Sequence, residues 1–226
     1  MKFSKKHKDL ICVSLAPEEI IIVVDPNKIL AFQGAGKNRR DYIDTNLKKK
    51  TFYRSEITGP AKIFLNSGNN SEIFFCEKIP ENGLVLKRNV LFHSKEVISD
   101  YELETTSEMI WTGNLIRSVY SGKGSLAFFS EGSLERIQLE SSEEIFVNPL
   151  NVVGFENGLQ YEYKTYGNTL ARVRQEFHMK CSGPGCLLLQ TNSFRANTEE
   201  IAREAAEDSF FRKILKTIFP WADPWI

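Results

Sequence analysis

Two Gly-Lys pairs, three His and four Cys are the residues of this 226-residue chain whose types could support catalysis or ligation. A phosphate loop needs a glycine upstream of Gly-Lys and a Ser or Thr after it, so that backbone amides wrap the phosphate. Gly36-Lys37 is followed by Asn38, and Ala31 stands at the upstream position. Gly122-Lys123 is followed by Gly124, with Arg117 upstream. Both pairs therefore read as turns. His7, His93 and His178 are scattered. Across residues 173–181 a strand alternation puts Val173, Phe177, Met179 and Cys181 on one face. Arg174, Glu176, His178 and Lys180 share the other, so His178 is expected to face solvent. Two usable His do not make a zinc site. Cys181 and Cys186 bracket Ser-Gly-Pro-Gly, wider than C-x-x-C, and no second pair completes a metal site. Geometry permits a cross-hairpin disulfide there, but buried or half-buried thiols are the default. No nucleophile elbow and no Ser–His–Asp or Cys–His arrangement is present. No catalytic, cofactor-binding or metal-binding residue is nominated, and the chain is expected not to be an enzyme.

Charge and amphipathicity supply the binding candidates. Lys37, Arg39, Arg40, Lys48, Lys49, Lys50 and Arg54 make residues 37–54 locally basic. A solvated loop is the simpler reading; the sharper one is contact with an anionic surface such as phospholipid headgroups. Near the C-terminus, Asn197 and Glu200 form a capping-box signature, and Pro220 ends the helix they start. On that helix Phe210, Phe211, Ile214, Leu215 and Ile218 fall within roughly 140° of arc. The stripe either packs on the rest of the protein or, with Trp221 and Trp225 behind it, docks a partner or a membrane interface. Lys48, Lys49, Lys50, Phe211, Leu215, Trp221 and Trp225 are the contact residues nominated.

The elements that must position these residues are short strands. Lys plus Arg and Asp plus Glu each number 29, a balance that argues against a dedicated nucleic-acid binder. Apolar residues make up 42% and include sixteen Phe, enough for a sizeable core. No run reaches the roughly 18 apolar residues of a membrane-crossing helix. Apolar or alternating runs at 19–24, 29–32, 61–65, 72–75, 84–86, 90–92, 126–129, 144–147, 152–155 and 186–190 are separated by Gly, Pro, Asn and Ser. That spacing predicts an all-β sandwich or barrel. Leu15-Ala-Pro-Glu-Glu-Ile-Ile-Ile-Val and Leu139-Glu-Ser-Ser-Glu-Glu-Ile-Phe-Val look like copies of one unit, with a looser copy at Leu84. Each continues to a second strand, where Phe32, His93 and Phe155 fill the same slot. Tyr101 and Tyr163 close matching strands, and the whole implies stacked β units around a shared core. The expected organisation is a basic, solvated tail over 1–9, a β-repeat domain over 10–194 and a helix with a Trp-rich tail over 195–226. The apolar run Leu10–Leu15 that follows the tail is too short for a secretory signal, and no mitochondrial presequence is visible.

Two motifs then resemble a known family. Ser121-Gly-Lys-Gly-Ser-Leu-Ala-Phe-Phe-Ser-Glu-Gly-Ser-Leu followed by Glu143-Glu-Ile-Phe-Val-Asn-Pro-Leu-Asn-Val-Val-Gly-Phe is similar to the central motif of the family named for altered inheritance of mitochondria, protein twenty-four. Cys181-Ser-Gly-Pro-Gly-Cys-Leu-Leu-Leu-Gln-Thr-Asn resembles its closing signature. The segment from Val147 to Phe155 looks closer to the fungal, mitochondrial branch. The resemblance implies a double-stranded β-helix or sandwich like that of the tryptophan RNA-binding attenuation protein, often oligomeric, without importing its RNA binding. It implies no catalytic residue and no cofactor. It implies a role in mitochondrial organisation at the inner membrane, through self-association, protein partners or acidic lipid; the alternative location is cytoplasmic. The alternative function is a small-ligand module holding its ligand within the sheets.

Overall fold

The computed structural model describes residues 1–47, 50–68, 71–86, 89–103, 116–165 and 177–192. Its elements are nearly all strands. After β1 (Lys2–Lys5), the chain runs three times through the same six-strand unit. Repeat 1 holds β2 (Leu10–Leu15), β3 (Ile20–Val23), β4 (Ile29–Gly34), β5 (Arg39–Leu47), β6 (Lys50–Thr58) and β7 (Ala61–Asn66). Repeat 2 holds β8 (Ser71–Cys76), β9 (Leu84–Leu86), β10 (Val90–Ser94), β11 (Val97–Leu103), β12 (Ile116–Gly122) and β13 (Leu126–Glu131). Repeat 3 holds β14 (Leu134–Leu139), β15 (Glu144–Val147), β16 (Val152–Glu156), β17 (Gln160–Thr165), β18 (Phe177–Ser182) and β19 (Gly185–Gln190).

Within each repeat the first and third strands pair with the sixth, and the second and fourth with the fifth, all antiparallel. The third strand carries a β-bulge at the same place each time, between Ile29 and Ala31, Val90 and Phe92, and Val152 and Gly154. These registers align Phe32, His93 and Phe155, as the sequence pattern predicts. They also align Tyr101 with Tyr163, opposite Ser118 and Met179. Local chemistry repeats too. Glu19 and Glu143 accept from the amides of Ala16 (2.7 Å) and Glu140 (2.8 Å). Asp25 and Asn148 accept from the amides of Asn27 and Leu150, each at 3.0 Å, capping the 3-10 turns Pro26–Lys28 and Pro149–Asn151. Proline at the start of each turn fixes φ and sets the entry into β4 and β16.

Two strand pairs cross repeat boundaries. β3 pairs with β10, and β9 with β16, which builds two six-stranded sheets in the orders β5-β6-β3-β10-β13-β8 and β11-β12-β9-β16-β19-β14. Two smaller sheets complete the domain, β1-β2-β7-β4 and β15-β18-β17. The core follows the boundaries. Ile11, Val13, Ile21, Val23, Ile63 and Leu65 pack with Ile73, Leu91 and Phe92 across the first. Leu86, Val90, Tyr120 and Leu126 pack with Val153 and Leu188 across the second. Val85 and Val119 join Phe155, Met179, Cys181 and Leu187 in a third cluster.

Three expectations change here. The basic stretch 37–54 is not a loop: it contains all of β5 and the first half of β6. Lys2–Lys5, expected as a solvated tail, pairs with β2, and Phe3 stacks on Phe75 at 4.6 Å. Apolar burial of Phe3 fixes a segment whose lysines stay in water. His178 is half-buried rather than solvent-facing, because the outer face of β18 is partly covered. The predicted C-terminal helix over 195–226 lies outside the described residues. Among the described residues no helix is long and apolar enough to cross a membrane.

Candidate functional site

The β5–β6 hairpin carries the basic candidates, and its register sorts them. Arg39 lies opposite Ile57, Asp41 opposite Ser55 and Ile43 opposite Tyr53. Arg39 is committed to Asp41, through Nε at 3.0 Å and Nη2 at 2.9 Å. With the hydroxyl of Ser55 also donating to it, Asp41 is held below the usual carboxylate range, Arg39 being the main cause. Arg54 is buried, at 3% exposure; it donates to the Val24 carbonyl at 2.6 Å and to the Tyr101 hydroxyl. Lys37 and Arg40 are exposed. Lys50 opens β6 where the chain turns back from β5, while Lys48 and Lys49 lie outside the described residues, as do Phe211, Leu215, Trp221 and Trp225.

Toward that turn the hairpin presents a pair that composition did not flag. Ile43 is 54% exposed and Tyr53 is 65% exposed, directly opposite each other on adjacent strands. Such a pair normally stabilises a sheet by packing on something. Here it stands in solvent a few residues from three consecutive lysines. The signal was in the sequence, since Tyr42-Ile43 and Phe52-Tyr53 flank the lysines, but only the strand register shows them as a pair.

Arg54 belongs to a second motif. Register places Arg54, Arg117 and His178 at one position of β6, β12 and β18, opposite Tyr42, Glu102 and Lys164. Arg54 reaches forward to Tyr101 of repeat 2, its guanidinium 5.6 Å from the ring centroid. Arg117 does the same to Tyr161 of repeat 3, at 6.0 Å, and also binds Glu102 at 2.7 Å. These arginines clamp successive hairpins. They hold structure rather than offering charge to a ligand.

The reactive candidates resolve into packing. Gly36-Lys37 sits in the 3-10 turn Gly36–Asn38, and Gly122, at φ +95°, turns β12 into β13. All four Cys are thiols. Cys186 is buried, and burial pushes its thiol up even though Arg136 donates to the sulfur at 3.1 Å. Among the described residues no three His, Cys, Asp or Glu side chains converge as a metal site would require. His93 is 5% exposed, its Nδ1 2.9 Å from the Ser94 carbonyl and its ring 5.8 Å from that of Tyr120.

Burial, with the positive charge of Arg54 adding to it, lowers the His93 pKa below its ordinary value. The unfolded chain then takes up the proton first, near pH 6.5. Stability from this residue is complete above that pH and is lost progressively as pH falls from there to the lower folded-state pKa, with ceiling slope about 1.4 kcal/mol per pH unit. His93→Phe, which installs the residue found at Phe32 and Phe155, is expected to remove this part of the acid sensitivity. Urea midpoints at pH 7 and pH 5 for both proteins check it; equal losses on acidification would place the sensitivity elsewhere.

Comparison with known proteins supports the repeat architecture. Residues 49–192, which include all of repeats 2 and 3, match the family described as mitochondrial biogenesis AIM24. The chain belongs to this family. Both motifs quoted for the resemblance lie inside the matched span. An X-ray crystal structure of a Streptococcus pyogenes protein superposes with a TM-score of 0.68 at 15% identity, covering 90% of this chain and 98% of that one. At that identity the likeness shows that the AIM24-type fold is shared, and nothing of activity. No curated protein matches the chain.

Proposed function

We propose that this chain serves mitochondrial biogenesis as a non-catalytic peripheral protein of the inner membrane, with the β5–β6 hairpin as its contact with acidic phospholipid. The family ties the chain to mitochondrial biogenesis. The observation that carries the membrane reading is the exposed Ile43–Tyr53 pair, on the two strands that in sequence flank Lys48, Lys49 and Lys50. An aromatic and an aliphatic side chain can enter the headgroup boundary while lysines meet lipid phosphate. The Trp-bearing tail supplies a second anchor in this reading. The interior favours surface binding over a ligand held within the sheets, because Tyr120, Phe92, Leu86, Leu126 and Met179 fill it.

Flotation of the full chain with phosphatidylcholine vesicles, with and without cardiolipin, tests this. The protein is expected to float only with cardiolipin, and less at physiological than at low salt. Each lysine near an anionic surface contributes about 1 kcal/mol. Reversing Lys48, Lys49 and Lys50 to Glu should therefore weaken binding about 100-fold or more. Ile43→Ser with Tyr53→Ser should weaken it at both salts, since apolar insertion is not screened. Flotation unchanged by either set overturns the hairpin assignment. No flotation of the unaltered chain overturns the membrane reading and leaves a protein partner for the same surface.

A further inference from the structure

We infer that the outer edge of β4 takes up an extended segment of a partner protein by strand addition. The segment that fits carries three consecutive branched apolar residues behind an acidic one. Each of the four sheets ends in two edge strands. Seven of those eight hold at least one Lys, Arg, Asp or Glu, the kind of charge that keeps an exposed ladder from pairing. β4, Ile-Leu-Ala-Phe-Gln-Gly, holds none. It is also the edge strand whose counterparts are interior. β10 lies between β13 and β3, and β16 between β19 and β9. Among the described residues β4 has β7 as its ladder partner and ends its sheet. Leu30 is 60% exposed, whereas Leu91 and Val153, at the same bulge position, are 0% and 1% exposed. Ala31, Gln33 and Gly34 are exposed as well, while every residue of β10 is buried.

The two interior junctions show what such an edge accepts. β10 receives Ile21, Ile22 and Val23, and β16 receives Leu84, Val85 and Leu86, both antiparallel. Each guest is a run of three branched apolar residues. On β10 the Leu91 carbonyl accepts from the Val24 amide at 2.9 Å, and the Lys95 amide donates to the Ile20 carbonyl at 3.2 Å. The shared bulge aligns Leu30 with Leu91, Phe32 with His93 and Gly34 with Lys95. The Leu30 carbonyl, the Phe32 amide and carbonyl, and the Gly34 amide therefore face the open side. An antiparallel guest begins at Gly34, and the exposed Lys37 stands just beyond it. An acidic residue ahead of the apolar run meets that charge, as Glu18 and Glu19 stand ahead of β3. The runs 21–23 and 84–86 are already committed to β10 and β16, so the guest on β4 comes from another protein. Main-chain hydrogen bonds supply the affinity and the apolar side chains the selection. This contact does not depend on the hairpin's lipid contact.

The probe is a fluorescein-labelled synthetic peptide with the sequence of residues 17–25, Pro-Glu-Glu-Ile-Ile-Ile-Val-Val-Asp. Titrated with the full chain and read by fluorescence anisotropy, it is expected to bind saturably. N-methylation of the peptide at the residues matching Ile22 and Val24, whose amides face the edge, should abolish binding. N-methylation at those matching Ile21 and Val23, whose amides face away, should leave it. Leu30→Lys, at an exposed site, should keep the far-UV circular dichroism and weaken binding about tenfold or more. A peptide that does not bind saturably overturns the inference. So do equal effects of the two methylation patterns, or an affinity unchanged by Leu30→Lys. Sedimentation velocity completes the test: an unaltered chain whose self-association the peptide dissolves would give the edge to a second copy and overturn the assignment to a partner protein.

Discussion

Phe92→Ala is expected to lower stability by about 3–5 kcal/mol, the usual range for a fully buried phenylalanine. Phe92 is 0% exposed; its ring lies 5.9 Å from that of Phe3 and 6.5 Å from that of Phe75. It stands on β10 opposite Val23, so its side chain ties the N-terminal strand and repeat 1 to repeat 2 at once. The cavity should therefore do more than lower the midpoint. In a stacked array, stability is a sum of repeat terms and neighbour terms, and this substitution removes a neighbour term. Repeat 1 should then open first, broadening the urea transition and exposing the amides of β2 and β7 to exchange ahead of those of β16 and β19. Ile98→Ala is the control: Ile98 is 59% exposed, and its loss should stay within about 0.5 kcal/mol. A cost for Phe92→Ala no larger than the control would mean that backbone pairing alone holds the first boundary.

The repeat was legible where its strands are apolar and illegible where they are not. Leu84–Leu86 and Glu144–Val147 read as strands in sequence and are strands with the same limits. Fully or half-buried strands announce themselves by runs and alternation. The β5–β6 hairpin does not, because two of its buried positions hold polar side chains satisfied by neighbours. Ser55, at 0% exposure, is bonded to Asp41, and Arg54 to Val24 and Tyr101. A buried arginine partnered by the next repeat looks in sequence like one more surface charge. Without that hairpin the first copy reads as two strands and the basic stretch as a loop. The candidate site inherited that error. Three lysines are visible by charge, but the Ile43–Tyr53 pair needs the strand register. Composition cannot distinguish Leu30 from Leu91; only the strand beside each does.

Gly183→Ala should be strongly damaging although it adds a single carbon outside the core. A Cβ built on Gly183 would lie 2.1 Å from the Glu140 carbonyl oxygen and 2.8 Å from its carbon. Both are backbone atoms, so no side chain can swing aside. Nor can the turn back away: the Gly183 amide donates to the Glu143 carbonyl at 3.1 Å, and Glu143 in turn accepts from the Glu140 amide. Repeat 1 builds the same contact, with Gly59 facing the Ala16 carbonyl oxygen at 1.8 Å from the ideal Cβ and its amide bonded to Glu19 at 2.8 Å. Two turns in different repeats have thus arrived at glycine for one steric reason, the crossing of the strand-five exit over the turn between strands one and two. Either alanine is expected to cost about 3 kcal/mol or more, since overpacking against fixed backbone has no inexpensive relaxation. Gly36→Ala, where nothing lies within 4 Å, should be neutral. Thermal unfolding of the three variants beside the unaltered chain separates these outcomes. A stable Gly183→Ala protein would show that the Gly-Pro-Gly signature is not held by this crossing, and its role would then have to be sought at the exposed surface of the turn. A destabilised one explains the signature as a requirement of the fold.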